Sequence, residues 1–434
     1  MFRVPMGKDY VEFTLPPTMR GVQVDAAELP PLADPESAIA GALDRPLGKP
    51  SLEQFARDRR HAVVAVTDAT RACPDHLLVP PMLRRLERAG LGPDEVTLLV
   101  AVGTHRASTR EEKIEKLGAD TVSRYRVVDH DAGDRDNLVT VGAVAGGPPF
   151  TVNRLVYEAD LLIATGLVEP HQYAGYSGGA KTASIGTAGE EIIQYTHGPA
   201  FLDDPGTRLG KLAGNRFQDV VREVGRAIGL DFVINAVLDG DGRMVSVASG
   251  DPGAVHDYLA DVAARLYTVS ISHQYDVAIA GVGYPKDANL YQASRAASYL
   301  QFAPTPVVRN GGVIVLPATC PEGPGQGVGE QRFARAMAES TSPRELIDRV
   351  RRNGLRPGEQ RAYVMAAVLA GCTVIVAGAL DSAGFTEMGF EVVSDIPAAM
   401  VRAAEIVGPS ASVLVVPHAL LTLPVVRAQA AAAR

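Results

Sequence analysis

Three histidines and a lysine, His105, His171, His197 and Lys181, stand where side chains of their kinds could act together, with Arg71 and Arg295 as candidate anion binders. Imidazole can ligate a metal or move a proton near neutral pH, and a guanidinium offers paired donors that match a carboxylate. His105 and His171 each follow a predicted strand, and His197-Gly198-Pro199 follows a glycine-rich stretch closely enough to fold back on it. Such a set could bind a metal, hold an organic anion and exchange protons with it.

Four segments carry these residues: Thr67-Asp68-Ala69-Thr70-Arg71, Gly103-Thr104-His105-Arg106, Glu169 to Lys181, and Gly283 to Asp287 leading to Tyr291-Gln292-Ala293-Ser294-Arg295. Each has a plainer reading. Asp68 and Thr70 could close an Asx turn or cap a helix, and His105 could be an ordinary polar residue at a strand exit. Gly175, Gly178 and Gly179 flank Ser177 and permit close backbone approach, but the pattern is neither a Walker A loop nor GxGxxG. His61, His76, His130, His256, His273 and His418 have no suggestive neighbours and are assigned structural or surface roles.

The elements that must position these segments follow an α/β pattern: short apolar runs, then Gly, Thr, Asp or Pro clusters, then helical periodicity. Strands are predicted at 62–66, 96–102, 161–165, 277–280, 313–316, 374–377 and 413–416, and several are apolar throughout, as strands covered on both faces are. Helices are predicted at 81–89, 217–228, 255–266 and 397–407, and Ser342-Pro343-Arg344-Glu345 reads as a capped helix start. The expected fold is two α/β domains with mostly parallel sheets, 1–270 and 275–417, with 418–434 crossing back onto the first or fraying. In such sheets ligands sit beyond the carboxyl ends of the strands, so the site is expected in an interdomain crevice.

A chain of 434 residues is too long for one ordinary core. Its 46% hydrophobic and 21% charged residues fit a globular protein. The net charge of −8, with both signs interspersed, argues against nucleic-acid binding. No apolar run approaches the roughly 20 residues that cross a bilayer, and the N-terminus lacks a secretory pattern; a cytoplasmic location without membrane contact is expected. Cys73, Cys320 and Cys372 form no CxxC pair and read as buried thiols, although Cys73 lies beside the Asp68 segment.

With these residues in hand, the sequence resembles the nickel-dependent lactate racemases and their 2-hydroxy-acid racemase and epimerase relatives over nearly the whole chain. The resemblance is carried most specifically by Glu169-Pro170-His171 through Ala174-Gly175-Tyr176-Ser177-Gly178-Gly179 to Lys181, followed by His197-Gly198-Pro199. Asp68-Ala69-Thr70-Arg71, Gly103-Thr104-His105-Arg106 and Tyr291-Gln292 support it. It implies an isomerase that uses nickel in a pincer nucleotide, a pyridinium-3-thioamide-5-thiocarboxylate mononucleotide linked to Lys181. By the same resemblance His197 is the nickel ligand, and His105 and His171 are the acid/base pair. Asp68, Thr70, Ser177, Gly178 and Gly179 join Lys181 at the cofactor, and Arg71, Gln292 and Arg295 meet the substrate. The implied partners are a small 2-hydroxy acid and the proteins that synthesise the cofactor.

The implied chemistry is reasonable for such a substrate. Deprotonating Cα beside an anionic carboxylate is difficult, whereas removing hydride leaves a stable 2-keto acid that can be reduced on the other face, with a histidine taking the hydroxyl proton. Two departures bear on the substrate: Arg295 stands where the lactate enzymes are expected to carry lysine, and the chain has no Trp. Two rival readings remain, an NAD-dependent hydroxy-acid dehydrogenase, for which no convincing strand-linked GxGxxG is found, and a noncatalytic hydroxy-acid-binding protein.

Overall fold

The computed structural model describes residues 1–356 and 358–427. Its backbone divides into two compact units, each discontinuous in sequence: a first of Glu28–His197 and Lys211–Leu266, and a second of Met1–Ala27, Gly198–Gly210 and Tyr267–Arg434.

The first unit is built on a six-stranded sheet in the order Met244–Gly250, Phe232–Leu238, Leu161–Leu167, Ala62–Thr67, Val96–Ala101, Arg126–Asp129. Only the Met244–Gly250 pairing is antiparallel. The four inner strands are buried along their whole length, because helices must cover both faces of a parallel sheet. One face carries Val64, Val66, Leu98, Ile163 and Ile234 and packs with Leu78, Val79 and Met82 of the helix Asp75–Arg88.

The second unit repeats the theme with six parallel strands in the order Glu391–Val393, Thr373–Ala377, Val308–Pro317, Tyr275–Ala280, Ser412–Val416, Arg20–Gln23. Val277, Ile279, Val313, Val315, Ile375, Val413 and Val415 form one core with Met400 and Ala403 of the helix Ile396–Val407. Ser342 caps the helix Pro343–Asn353, its hydroxyl accepting from the Glu345 amide at 3.2 Å.

The chain is therefore divided less simply than one boundary near residue 270 provides. Residues 1–27 lie in the second unit, because Arg20–Gln23 adds an edge strand beside Ser412–Val416 and the hairpin Phe2–Met6 with Asp9–Phe13 contributes Val4 and Phe13 to that core. The stretch at the expected boundary near 270 contains a strand, Thr268–Ile271, paired in parallel with Leu423–Val426. The described part of the expected 418–434 return thus stays in the second unit, and 428–434 fall outside the described residues. No helix among the described residues is long and apolar enough to cross a membrane.

Candidate active site

In the first unit the chain runs from Ala62–Thr67 to Val96–Ala101 and Arg126–Asp129 on one side, then adds Leu161–Leu167 and Phe232–Leu238 on the other. Ala62–Thr67 and Leu161–Leu167 are adjacent and parallel. Connections that leave neighbouring parallel strands in opposite directions open a crevice beyond the strands' carboxyl ends. Residues 68–71 and 169–181 begin there.

Asp68 is buried and its carboxylate is fully engaged. One oxygen accepts from the Thr70 amide at 2.7 Å and from the Thr70 hydroxyl, and the other lies 3.0 Å from Nδ1 of His105. Burial pushes this carboxyl up, but the hydrogen bonds from His105 and Thr70 and the charges of His105 and Arg71 prevail and hold it at about 2. An ionised Asp68 makes His105 Nδ1 a donor, so the neutral imidazole keeps its lone pair on Nε2. Asp68 and Thr70 thus hold the His105 ring and the turn.

Arg71 is exposed, and its guanidinium makes no hydrogen bond or ion pair among the described residues. Its charge nevertheless bears on Asp68, Lys181 and His197. Lys116 of the helix Arg110–Leu117 holds its backbone, donating at 2.7 Å to both the Arg71 and Cys73 carbonyls and pairing with buried Asp75 at 3.2 Å. The Cys73 thiol is driven far up by burial and by Asp75, which leaves it an inert packing group.

The glycine-rich segment folds back as a small hairpin in which Pro170–His171 pairs with Gly175–Tyr176. The Ser177 hydroxyl is spent inside it, donating to the Leu167 carbonyl at 2.7 Å and accepting from the Glu169 amide at 3.1 Å. Gly178 and Gly179 have φ of 82° and 56°. A Cβ on Gly178 would come within 2.5 Å of Val168 and 3.0 Å of the Asn235 side chain, and one on Gly179 within 2.9 Å of His256. Both glycines are thus required by the loop's descent onto the sheet. Asn235 completes the fit, its Oδ1 accepting from the Gly179 amide at 2.6 Å.

Lys181 opens the short helix Lys181–Ser184. Protein surrounds its amine while part of the residue stays accessible. Withdrawal from water, reinforced by Arg71 and opposed by Glu169 and Asp68, brings the amine down to about 7. It makes no hydrogen bond among the described residues.

His197 ends the helix Glu190–Thr196. Its Nδ1 lies 2.9 Å from the Ile193 carbonyl, which can only accept, so Nδ1 donates and Nε2 carries the lone pair. Burial, with Lys181 nearby, lowers this imidazole to about 4. His171 and His197 share an aromatic cluster with Tyr173 and Phe217: ring centroids lie 5.7 Å apart for His171 and Tyr173, 6.1 Å for His171 and Phe217, 4.9 Å for Tyr173 and His197, and 5.2 Å for His197 and Phe217.

Gln292 and Arg295 belong to the second unit, on the successive helices Leu290–Ala293 and Arg295–Gln301. The Gln292 Oε1 is buried and meets no hydrogen-bond partner among the described residues. Arg295 donates to the Tyr299 hydroxyl at 3.2 Å and lies over that ring.

Sequence reading passed over Lys116 and Asn235, gave Tyr173 and Phe217 no part in the site, and assigned His256 only a structural or surface role. His256 lies buried beneath Gly179, lowered to about 4 chiefly by burial and then by Arg222. The Tyr176 and Ser177 backbone lies near its ring nitrogens but without hydrogen-bond geometry. For Asn235 the signal in the sequence was a polar residue inside an otherwise apolar run, Val233-Ile234-Asn235-Ala236-Val237. His130, assigned a structural role, has one: its ring lies 2.9 Å from the Ala188 carbonyl and 3.2 Å from the Asn153 amide.

Comparison with known proteins meets this geometry at the level of the whole chain. Residues 6–210 match the lactate racemase N-terminal domain and residues 271–423 the lactate racemase C-terminal domain. The chain is 33% identical to a lactate racemase of Lactiplantibacillus plantarum over 391 residues, 89% of this chain and 90% of that protein. It is 28% identical to a lactate racemase of Thermoanaerobacterium thermosaccharolyticum over 422 residues, 95% and 96% of the two. The structure of the lactate racemase apoprotein from that organism superposes with a TM-score of 0.87 at 27% identity, covering 98% of this chain and 99% of that one. A Thermotoga maritima protein superposes at 0.67 with 19% identity over 90% of this chain, which speaks for the fold alone. The chain belongs to the lactate racemase family and, with it, to the isomerases.

Proposed function

We propose that this protein is a racemase or epimerase of a 2-hydroxy acid that works through a nickel pincer nucleotide attached to Lys181. The observation that carries the reading is Lys181 itself: a buried amine at about 7, without a hydrogen bond, beside Arg71 and His197.

The residues fit such a group. An amine at about 7 is half neutral at physiological pH and able to form a thioamide, and His197 turns an Nε2 lone pair away from its Ile193 bond, the tautomer a metal takes. Among the described residues no three His, Cys, Asp or Glu side chains converge to hold a metal by themselves. A metal that brings carbon and sulfur donors with its nucleotide needs only one protein ligand, and nickel suits imidazole with soft sulfur. When bound, the nickel-bearing pyridinium supplies a hydride acceptor that can return hydride to either face.

The protein's own groups do the rest. Arg71, with its donors uncommitted, binds the substrate carboxylate. His105, backed by ionised Asp68, holds a lone pair on Nε2 for the hydroxyl proton, and His171 is its acid/base counterpart. Gln292 and Arg295 are proposed substrate contacts on their chemistry: an unpartnered amide oxygen and a planar cation. Arg295 in place of lysine, and the absence of Trp, favour an acid larger or more polar than lactate.

Screening holoprotein against 2-hydroxy acids tests the reading. Interconversion of enantiomers or epimers without stoichiometric NADH change is expected, with nickel and sulfur retained by the protein. Failure of nickel-loaded protein to racemise any acid in the panel would overturn it.

A further inference from the structure

Gln292 lies in the one-turn helix Leu290–Ala293, too short to hold its own place, so its position is set from outside. Asn289 caps the turn, its Oδ1 accepting from the Gln292 amide at 3.0 Å. The same side chain is buried, and its Nδ2 donates to a carboxylate oxygen of Glu322 at 3.0 Å and to one of Glu330 at 3.4 Å. The backbone beside it is bound to the same stretch: the Leu290 amide donates to the Gly323 carbonyl at 2.9 Å and the Tyr291 amide to the Pro324 carbonyl at 3.3 Å. The Tyr291 ring meets Phe333 of the helix Val328–Ala338 edge to face at 5.5 Å.

That stretch is costly to build. Cys320 has a φ of 39°, where a side chain is rarely tolerated, and Gly323 and Gly325 have φ of 59° and 120°. A Cβ on Gly323 would come within 2.9 Å of Asp381, and one on Gly325 within 2.5 Å of Glu330. Glu322 and Glu330 converge on a single amide, although their charges repel, and neither makes an ion pair among the described residues. Strain of this kind persists only where the surroundings over-determine it, and it gathers at binding sites.

We propose that Asn289 is a positioning residue for Gln292: by fastening the turn 289–292 to residues 320–330, it fixes the Gln292 Oε1 as an acceptor for a hydrogen-bond donor on the substrate. That oxygen is buried and meets no partner among the described residues. The substrate role of Gln292 rests on the proposed 2-hydroxy-acid reaction, whereas the bonds that fix it do not. Asparagine suits the task because one amide supplies the cap's acceptor and two N–H groups, one for each glutamate. Aspartate would keep the acceptor and set a third negative charge against Glu322 and Glu330. Serine would keep a cap and reach neither.

In loaded enzyme, with the 2-hydroxy acid that wild type turns over fastest, Asn289→Asp at pH 8 should raise KM roughly tenfold and leave kcat nearly unchanged, the mark of lost ground-state binding. Its new carboxyl, held above an ordinary aspartate by Glu322 and Glu330, donates again once protonated, so kcat/KM relative to wild type should recover as pH falls to about 5.5, while Asn289→Ser stays low throughout. Asn289→Asp combined with Gln292→Ala should lose no more than Gln292→Ala alone, because both act through one side chain. In apoprotein, the Leu290 and Tyr291 amides should lose protection from hydrogen exchange in both Asn289 variants, and in Asn289→Asp regain it at the lower pH. Should Asn289→Asp fail to fold, Asn289→Ser completes the comparison with Gln292→Ala. Additive losses in the combined variant, or unchanged exchange in both Asn289 variants, would overturn the proposal. If wild type racemises nothing, the proposed function falls, and the exchange measurements still decide whether Asn289 fastens the turn.

Discussion

Lys181 gives the sharpest test of the site's electrostatics. An ordinary lysine at 10.5 is neutral in about 3 molecules per 10⁴ at pH 7, whereas one held at about 7 is half neutral, so its amine is roughly 10³-fold more available. Trace acetylation of apoprotein with one isotope of acetic anhydride, completed after unfolding with another, reports the neutral fraction of Lys181 by peptide mass. Labelling should reach half its maximum near pH 7. The causes predict signs for two variants: Arg71→Met removes a cation and should move the midpoint up, and Asp68→Asn removes an anion and should move it down. A wild-type midpoint near 10, or shifts with the opposite signs, would refute the reasoning.

Three further outcomes follow from the same geometry. His256 stays neutral down to about pH 4, against 6.5 when exposed, so between those values the unfolded chain takes up a proton that the folded chain refuses. Stability should fall as pH drops through that window, by about 3 kcal/mol in all, and His256→Gln should flatten the slope of urea-unfolding stability against pH; an unchanged slope excludes His256 as its origin. Gly179→Ala places a Cβ against the His256 ring at a φ of 56°, and should destabilise by about 1 to 3 kcal/mol and lower Lys181 acetylation near pH 7; unaltered melting and labelling would show that the loop does not need the glycine. Arg295→Lys keeps the charge and removes the fork, so relative activity should shift away from the preferred acid toward lactate, and an identical substrate profile would remove Arg295 from specificity.

Much of the first unit was legible because its inner strands are buried on both faces, which writes them into the sequence as uninterrupted apolar runs that end at Thr67, Ala101 and Leu167. Local chemistry also marked the segments that follow, since glycines, an acid, a hydroxyl and a histidine at strand exits are unusual together. The family and its candidate residues could be read at that level. What could not be read was any pairing between distant positions. Nothing in the order of residues says that 1–27 join a sheet with 412–416, because an edge strand is chosen by the surface left open beside it. His171 and His105 are the same residue type at similar strand exits. Only the folded chain set one against a carboxylate 37 positions away and the other against the amides of its own turn.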